Sequence, residues 1–544
     1  MGTFIRYSCI FRCKVSDKIK IRIFAAQNRA LKKRGAVLCN ELKMKPIKTL
    51  FFILSIMLIL GVVWYFFPAD GLKVKDITFR FPSYAESQKE EIEEVDVDAV
   101  LNEVEQSFEM TCSETMYDSL GFFRNYLKQN PNRIYLPNDD YTYFDTLFAL
   151  FEQARDEGLT YRIMHYGDSQ IEMDRISSVL RQQLQELFGG SGPNMIPAIQ
   201  TVPTISVSQR GSGLKRFTLY GDSTTRRAPH NRYGVMSQFC QVIGEGSISF
   251  TQTSHSQAFD NAKDISSVSV LIGHNSQNFT ASLLCDTLTM ERKVLPANDS
   301  VSLITWMLPV NVRRGTISFR GNADIYAVLL DGDPGVAIDN VALRGCSGTI
   351  FTRIDETTVR QSFALLNTKL IILQFGGNRM PGIKGPKNIS TYMTELERQI
   401  NYMKRVAPQA TLLFIGPADM GRSYNGKMGT WHGLPELNDS LRAMALRNNV
   451  AYWDMLHVMG GEGSMAQWVR HNPPMAGPDY IHFTFRGAQA IGSDLARSFT
   501  TYYDFYKLRQ HVPSQEVIDF VNRDASEDIK HAPYWMRIPK YQPY

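Results

Sequence analysis

Cysteine is scarce, with seven in 544 residues. Beyond residue 100 it occurs only at Cys112, Cys240, Cys285 and Cys346, spacings that fit no metal-ligand pattern. These four read as small buried hydrophobes, with room for one disulfide. A basic surplus is also missing where it would count. Residues 1–48 carry 13 Lys/Arg and two acids, while the rest carries 46 basic and 52 acidic residues. The globular part therefore lacks the electrostatic footprint of a nucleic-acid-binding protein. What remains is an ordinary composition, 44% hydrophobic and 21% charged. That suits two or three domains with real cores.

The basic head precedes an uncharged run, Leu50 to Phe67, long enough to cross a bilayer. Lys43, Lys45 and Lys48 stand before it, and Trp64, Tyr65, Phe66 and Phe67 close it. Positive residues stay inside and aromatics favour the interface, so residues after Pro68 are expected outside the cytoplasm. A cleaved signal peptide is the competing reading, but no clear A-x-A site follows. The expected organisation is a basic cytoplasmic head at 1–48 and a membrane anchor at 49–68. Within the head, Met44-Lys-Pro-Ile-Lys looks like a natural start, so residues 1–43 are a candidate untranslated stretch. A tether with a leading helix is expected at 69–135 and a polar, Pro-containing tail at 507–544.

Between them the pattern is α/β. Tyr161–Tyr166 reads as a strand, followed by Gly-Asp-Ser and an amphipathic stretch at Ile171–Phe188. Helical and strand signals alternate again over Lys369–Phe375, Ser390–Val406, Thr411–Ile415, Pro435–Asn448, Val450–Trp453 and Arg486–Tyr503. That alternation predicts a parallel sheet covered on both faces. Residues 201–335 differ, with short β-like runs separated by Gly, Asn, Asp and Ser turns. They predict an all-β sandwich inserted between two parts of the α/β domain, 136–200 and 336–506.

Ser169 ends the first strand signal. A serine there is a nucleophile candidate if a base takes its proton; alone, it is as well read as a helix N-cap. Asp479-Tyr480-Ile481-His482 supplies an acid three residues before a histidine. Such an acid can orient Nδ1–H and leave Nε2 to deprotonate a serine. His165 and His471 are the other candidate bases. Two turns, Arg344-Gly-Cys-Ser-Gly-Thr349 and Gln374-Phe-Gly-Gly-Asn378, are candidates for an oxyanion hole. No G-x-S-x-G elbow surrounds Ser169.

These four elements, in this order, resemble the SGNH (GDSL) hydrolase superfamily. The resemblance implies Ser169 as nucleophile, His482 as base and Asp479 as its orienter. It implies an oxyanion hole from the Ser169 and Gly348 N–H groups and the Asn378 side chain, with no metal or organic cofactor. Arg379, Gln170 and Ile171 depart from the superfamily's usual residues; Arg379 is expected to touch substrate at most, and Gln170 and Ile171 to matter little. Gly167-Asp-Ser-Gln-Ile-Glu-Met-Asp174 and Leu184–Gly192 resemble the peptidoglycan O-acetylesterase branch. So do Trp453-Asp-Met and Met459–Trp468, ahead of the Asp-x-x-His block. The branch carries a carbohydrate-binding-like β module between its first two blocks.

The implied fold is a flavodoxin-like parallel sheet sandwiched by helices, with an inserted β sandwich and an N-terminal transmembrane helix. The implied function is removal of O-acetyl groups from an envelope glycan outside a bacterial inner membrane. An O-acyltransferase with the same triad and a non-catalytic glycan-binding protein are the alternatives. Asp174 either backs the site or balances a helix dipole. Trp453, Asp454 and Trp468 either border a sugar site or pack in the core.

Overall fold

A computed structural model describes residues 120–523, except 223, 256–257 and 513, and scattered positions between 54 and 79. The chain divides into two compact units, Met1–Glu109 and Met110–Tyr544. In the first, positions 54–56, 58 and 62 are helical, and Leu54, Ile56, Leu58 and Val62 are exposed. Leu72–Val74 pairs antiparallel with Ile77–Phe79. The head expected at 1–48 lies outside the described residues, and the anchor at 49–68 falls largely outside them. Among the described residues no helix is long and apolar enough to cross a membrane.

The second unit is built on a six-stranded sheet. Its strands are β1 (Ile134–Tyr135), β2 (Thr160–Gly167), β3 (Gly335–Ala342), β4 (Thr368–Gln374), β5 (Thr411–Ile415) and β6 (Ala451–Trp453). The spatial order is β3-β2-β4-β5-β6-β1, parallel throughout except for β1. β2 and β4 read as near-continuous apolar runs because both faces of the sheet are covered. Met164 and Tyr166 pack on one side with helices Glu356–Leu365, Pro386–Val406 and Leu434–Arg447. Tyr161 and Ile163 pack on the other with helices Asp145–Ala154, Ser177–Phe188 and Phe485–His511. The chain runs from β2 outward to β3, then crosses to β4 on the far side of β2. The direction of winding thus reverses between β2 and β4, where open α/β sheets leave a crevice at their carboxyl ends.

The segment between β2 and β3 contains a nine-stranded antiparallel sheet. It is one continuous hydrogen-bonded sheet rather than two separate ones, because Arg314–Asp331 is shared. The first half of that strand pairs with Gln238–Gln252 and Phe279–Cys285, and the second half with Ser267–Asn275 and Asn194–Pro197. The sheet encloses its own core, including Phe250, Phe279, Trp306 and Ile325. It already includes Asn194, and Gly335 belongs to β3, so the insert starts earlier than position 201 and ends before 335. Buried Arg162 of β2 ties the two parts together. It bonds Asp339 of β3 at 2.8 Å and also Asp331 at the end of the shared strand. The three described cysteines, Cys240, Cys285 and Cys346, are buried free thiols.

The C-terminal region differs from the expected tail. The last long helix continues to His511, and a further helix, Ser514–Asn522, buries Val517 and Val521 against the core. Arg124 stacks on Phe520, with its guanidinium carbon 3.8 Å from the ring centroid. The charged residues there form one face of an amphipathic helix, which a reading by composition takes for solvated chain.

Candidate active site

β2 and β4 end on either side of the crevice, and each delivers one turn to it. After Gly167 the chain enters a tight 3-10 segment, Ser169–Asp174, in which Glu172 and Met173 leave helical geometry. The α-helix begins only at Ser177, so Ser169 heads a turn and not the helix expected there. Nor is Ser169 the cap. Asp168 takes that role, its side chain accepting from the Gln170 N–H at 2.9 Å.

Ser169 is instead hydrogen-bonded to an imidazole. Its Oγ lies 2.8 Å from His482 Nε2. His482 Nδ1 lies 2.7 Å from Asp479 Oδ2. The other Asp479 oxygen accepts the backbone N–H groups of Ile481 and His482, both at 3.1 Å. Burial pushes the Asp479 carboxyl up, but the bonds from His482 and the two N–H groups outweigh it and hold it below the usual carboxylate range. The pair is half exposed, 41% for His482 and 47% for Asp479. Water can therefore reach both, unlike the buried acid of a serine protease.

The rival bases are placed elsewhere. His165 is fully buried between Gln374 and Ser177, and burial depresses its pKa to about 4. His471 is exposed and its Nδ1 meets the Pro473 carbonyl at 2.9 Å.

On the β4 side, Asn378 Nδ2 donates to Asp168 Oδ2 at 2.8 Å and to the Cys346 carbonyl at 3.3 Å. The amide is thus fixed against the residue next to Ser169. Burial pushes the Asp168 carboxyl up to about 6, only partly offset by the Gln170 N–H and Asn378. Gly348 sits in the turn after β3, with φ +79°. A Cβ there would meet the Phe375 ring at 2.7 Å, so the position requires glycine on both counts. Its N–H faces Cys346 Sγ at 3.3 Å, and Tyr392 OH props the turn through the Ser347 carbonyl at 2.7 Å. Arg379 lies over the Tyr392 ring and reaches Glu395 at 3.6 Å.

A cavity of about 200 Å³ opens beside Ser169 and His482. Phe375, Pro381, Met420, Trp431 and Met455 give it a largely apolar wall. Trp431 follows a small hairpin, Gly421–Tyr424 with Lys427–Thr430. It carries Arg422 4.8 Å above its ring.

Four sequence candidates do not reach this cavity. Trp453 is fully buried and spends its Nε1–H on Asn132 and Ser498. Asp454 is fully buried too, held by Asn438, Arg442 and His457. Both lie at the end of β6, which β1 and the last long helix cover. Asp174 forms a buried two-pronged ion pair with Arg181, at 2.5 and 3.1 Å. Trp468 packs on Phe483, ring centroids 5.4 Å apart. Sequence reading missed Trp431, which has no motif or period to mark it. It also dismissed Gln170, whose carboxamide touches the His482 loop.

A Ser–His–Asp relay at the switch point of an open α/β sheet is the layout of a serine hydrolase. Residues 312–490 match the GDSL-like Lipase/Acylhydrolase family, a stretch that holds the Gly348, Asn378 and Asp479–His482 blocks. A solved peptidoglycan O-acetylesterase aligns at 20% identity with TM-score 0.52, over 66% of this chain and 95% of that one. Family two carbohydrate esterases from Clostridium thermocellum and Cellvibrio japonicus align at 10% and 11% identity, over 54% and 55% of this chain and 99% of each of theirs. Their TM-scores, 0.23 each, are too low to carry an argument. No curated protein sequence matches the chain. The chain is a hydrolase acting on ester bonds, its residues 312–490 are similar to the GDSL family, and it resembles the peptidoglycan O-acetylesterase branch.

Proposed function

We propose that this is a membrane-anchored serine esterase that removes O-acetyl groups from a cell-envelope polysaccharide such as peptidoglycan. The observation that carries the chemistry is the unbroken relay from Ser169 Oγ through His482 to Asp479, 2.8 and 2.7 Å per step. Ser169 Oγ attacks the ester carbonyl while His482 Nε2 takes its proton. The C–O bond to the sugar breaks, and the sugar oxygen leaves with that proton. Water then attacks the acyl-enzyme, gives its proton to His482, and acetate departs as Ser169 recovers its hydrogen.

The oxyanion rests on the N–H groups of Ser169 and Gly348 and on the Asn378 amide. The Gly348 N–H meets only a weak sulfur acceptor in the resting site, so little is lost when it turns to an oxyanion. Asn378 exchanges its longer bond, to the Cys346 carbonyl at 3.3 Å, and keeps Asp168.

The glycan substrate draws support from the fold shared with the peptidoglycan O-acetylesterase and from Trp431, an aromatic face at the cavity suited to a pyranose ring. The anchor at 49–68 and the extracytoplasmic placement draw support from the uncharged run and its flanking lysines. Ser169→Ala is expected to abolish hydrolysis of a small acetyl ester while leaving the circular dichroism unchanged. Undiminished hydrolysis by that variant would refute the assignment.

A further inference from the structure

The base sits on a loop. His482 and Asp479 are half exposed, and Tyr480 between them adopts φ +57°. Buried Phe483 and two backbone bonds of 2.8 Å, from the Gly477 N–H to the His482 carbonyl and from the Gly421 N–H to the Tyr480 carbonyl, anchor the loop, but the half-exposed imidazole itself is not packed in the core. What touches the loop on its inner edge is the side chain next to the nucleophile. Gln170 Nε2 donates to the Ile481 carbonyl at 2.6 Å, and Gln170 Oε1 accepts the Phe483 N–H at 3.4 Å. These are the two residues that flank His482. One carboxamide thus grips the backbone on both sides of the base, as a neighbouring strand would. Gln170 is itself buried, 8% exposed, and its own N–H is tied to Asp168.

A second side chain closes the clamp. Arg175 Nη1 donates to the Phe483 carbonyl at 2.7 Å, and its Nη2 to the Ser169 carbonyl at 3.1 Å. The same guanidinium binds the backbone of the nucleophile and the backbone beside the base. The nucleophile turn and the base loop lie more than 300 positions apart in sequence, and these contacts join them directly.

We propose that Gln170, backed by Arg175, is a positioning residue that sets the distance between His482 and Ser169. This rests on the reading of those two as base and nucleophile. Gln170 touches no reacting atom. It acts by holding the imidazole within proton-transfer reach, where a displacement of about 1 Å costs on the order of a hundredfold in rate. The chemistry is specific to a carboxamide, which offers a donor and an acceptor at fixed spacing. An ionised Glu offers only acceptors and sets a carboxylate against the Ile481 carbonyl, whereas a protonated Glu restores the donor.

The test uses the full chain with a soluble acetyl ester, and compares wild type, Gln170→Ala, Gln170→Glu and Ser169→Ala. Gln170→Ala is expected to lower kcat by about 30- to 100-fold, with KM within threefold and the melting temperature nearly unchanged. For Gln170→Glu, the ratio of its kcat to that of wild type is expected to rise as pH falls and the new carboxyl takes up a proton. A purely structural contribution would not produce that pH-dependent recovery. If Gln170→Ala keeps kcat within threefold of wild type, the proposal is overturned. If Gln170→Ala fails to fold, Gln170→Glu decides: a ratio flat with pH overturns the proposal, and acid recovery supports it. Ser169→Ala separates the two levels. Loss of activity there with full activity in Gln170→Ala removes only the clamp, while activity retained in Ser169→Ala removes the triad reading itself.

Discussion

Replacing Asp479 by Asn changes one atom and inverts one hydrogen bond. Asp479 Oδ1 accepts two backbone N–H groups and Oδ2 accepts His482 Nδ1–H. An Asn keeps its oxygen toward the two N–H groups, since turning it round would leave both unpaired. Its NH2 then faces Nδ1, a donor against a donor. His482 relieves this by moving its proton to Nε2, the atom that must accept from Ser169. Restoring the productive tautomer costs roughly 1.5–3 kcal/mol, the worth of a hydrogen bond to a charged group. The imidazolium formed in the transition state also loses its counter-charge. Half exposure of the pair discounts that second loss to about 1 kcal/mol. Together they amount to about 2.5–4 kcal/mol, or roughly 10² to 10³ in kcat at about 1.4 kcal/mol per tenfold. That is less than the ~10⁴ loss known for a buried serine-protease acid. The assay is steady-state hydrolysis of a soluble acetyl ester, with the unfolding midpoint measured alongside. A kcat within fivefold of wild type and an intact fold would refute the orienting role.

Three further outcomes follow from the same geometry. Asn378→Ala removes the proposed oxyanion donor and leaves Asp168 with one partner fewer; kcat is expected to fall about 10² to 10³-fold with KM little changed, read in the same assay. Asp168→Asn bears on stability against pH. The folded carboxyl holds its proton up to about pH 6, against 3.8 as its ordinary value, so the native state binds the extra proton between those limits. Wild-type stability therefore falls relative to the variant as pH rises through that window, by about 3 kcal/mol in all, and the difference stays constant with pH below it. Urea unfolding of both proteins from pH 4 to 7 measures this, and parallel curves would contradict it. Trp431→Ala is expected to raise KM for an acetylated polysaccharide several-fold while sparing a small ester; equal effects on both would remove Trp431 from the sugar side.

The residues proposed to carry the chemistry were legible as candidates because a short motif encodes each one locally. Gly167-Asp-Ser needs a strand end and a tight turn, and Asp479 reaches His482 within a single loop turn. The strand and helix alternation was legible for the same reason, since a buried parallel strand announces itself as an apolar run. Sequence neighbourhood left two readings open where only folding decides. Trp453 and Asp454 stand near the Asp-x-x-His block in sequence, yet β6 delivers them into the core, where Asn132 and Asn438 satisfy them. Gln170 stands inside the Gly167–Asp174 motif, but its contacts are with Ile481 and Phe483, which only folding brings alongside it. The final helix was missed because its apolar residues, Val517, Ile518, Phe520 and Val521, form one short run inside a polar, Pro-containing stretch.

The most direct test is acetate release from purified O-acetylated peptidoglycan by the full chain, with Ser169→Ala run in parallel. Wild type is expected to release acetate with turnover, and Ser169→Ala none above the uncatalysed rate. Equal release by the two proteins, or none by wild type while it hydrolyses small acetyl esters, would contradict the proposed nucleophile in the first case and the proposed substrate in the second.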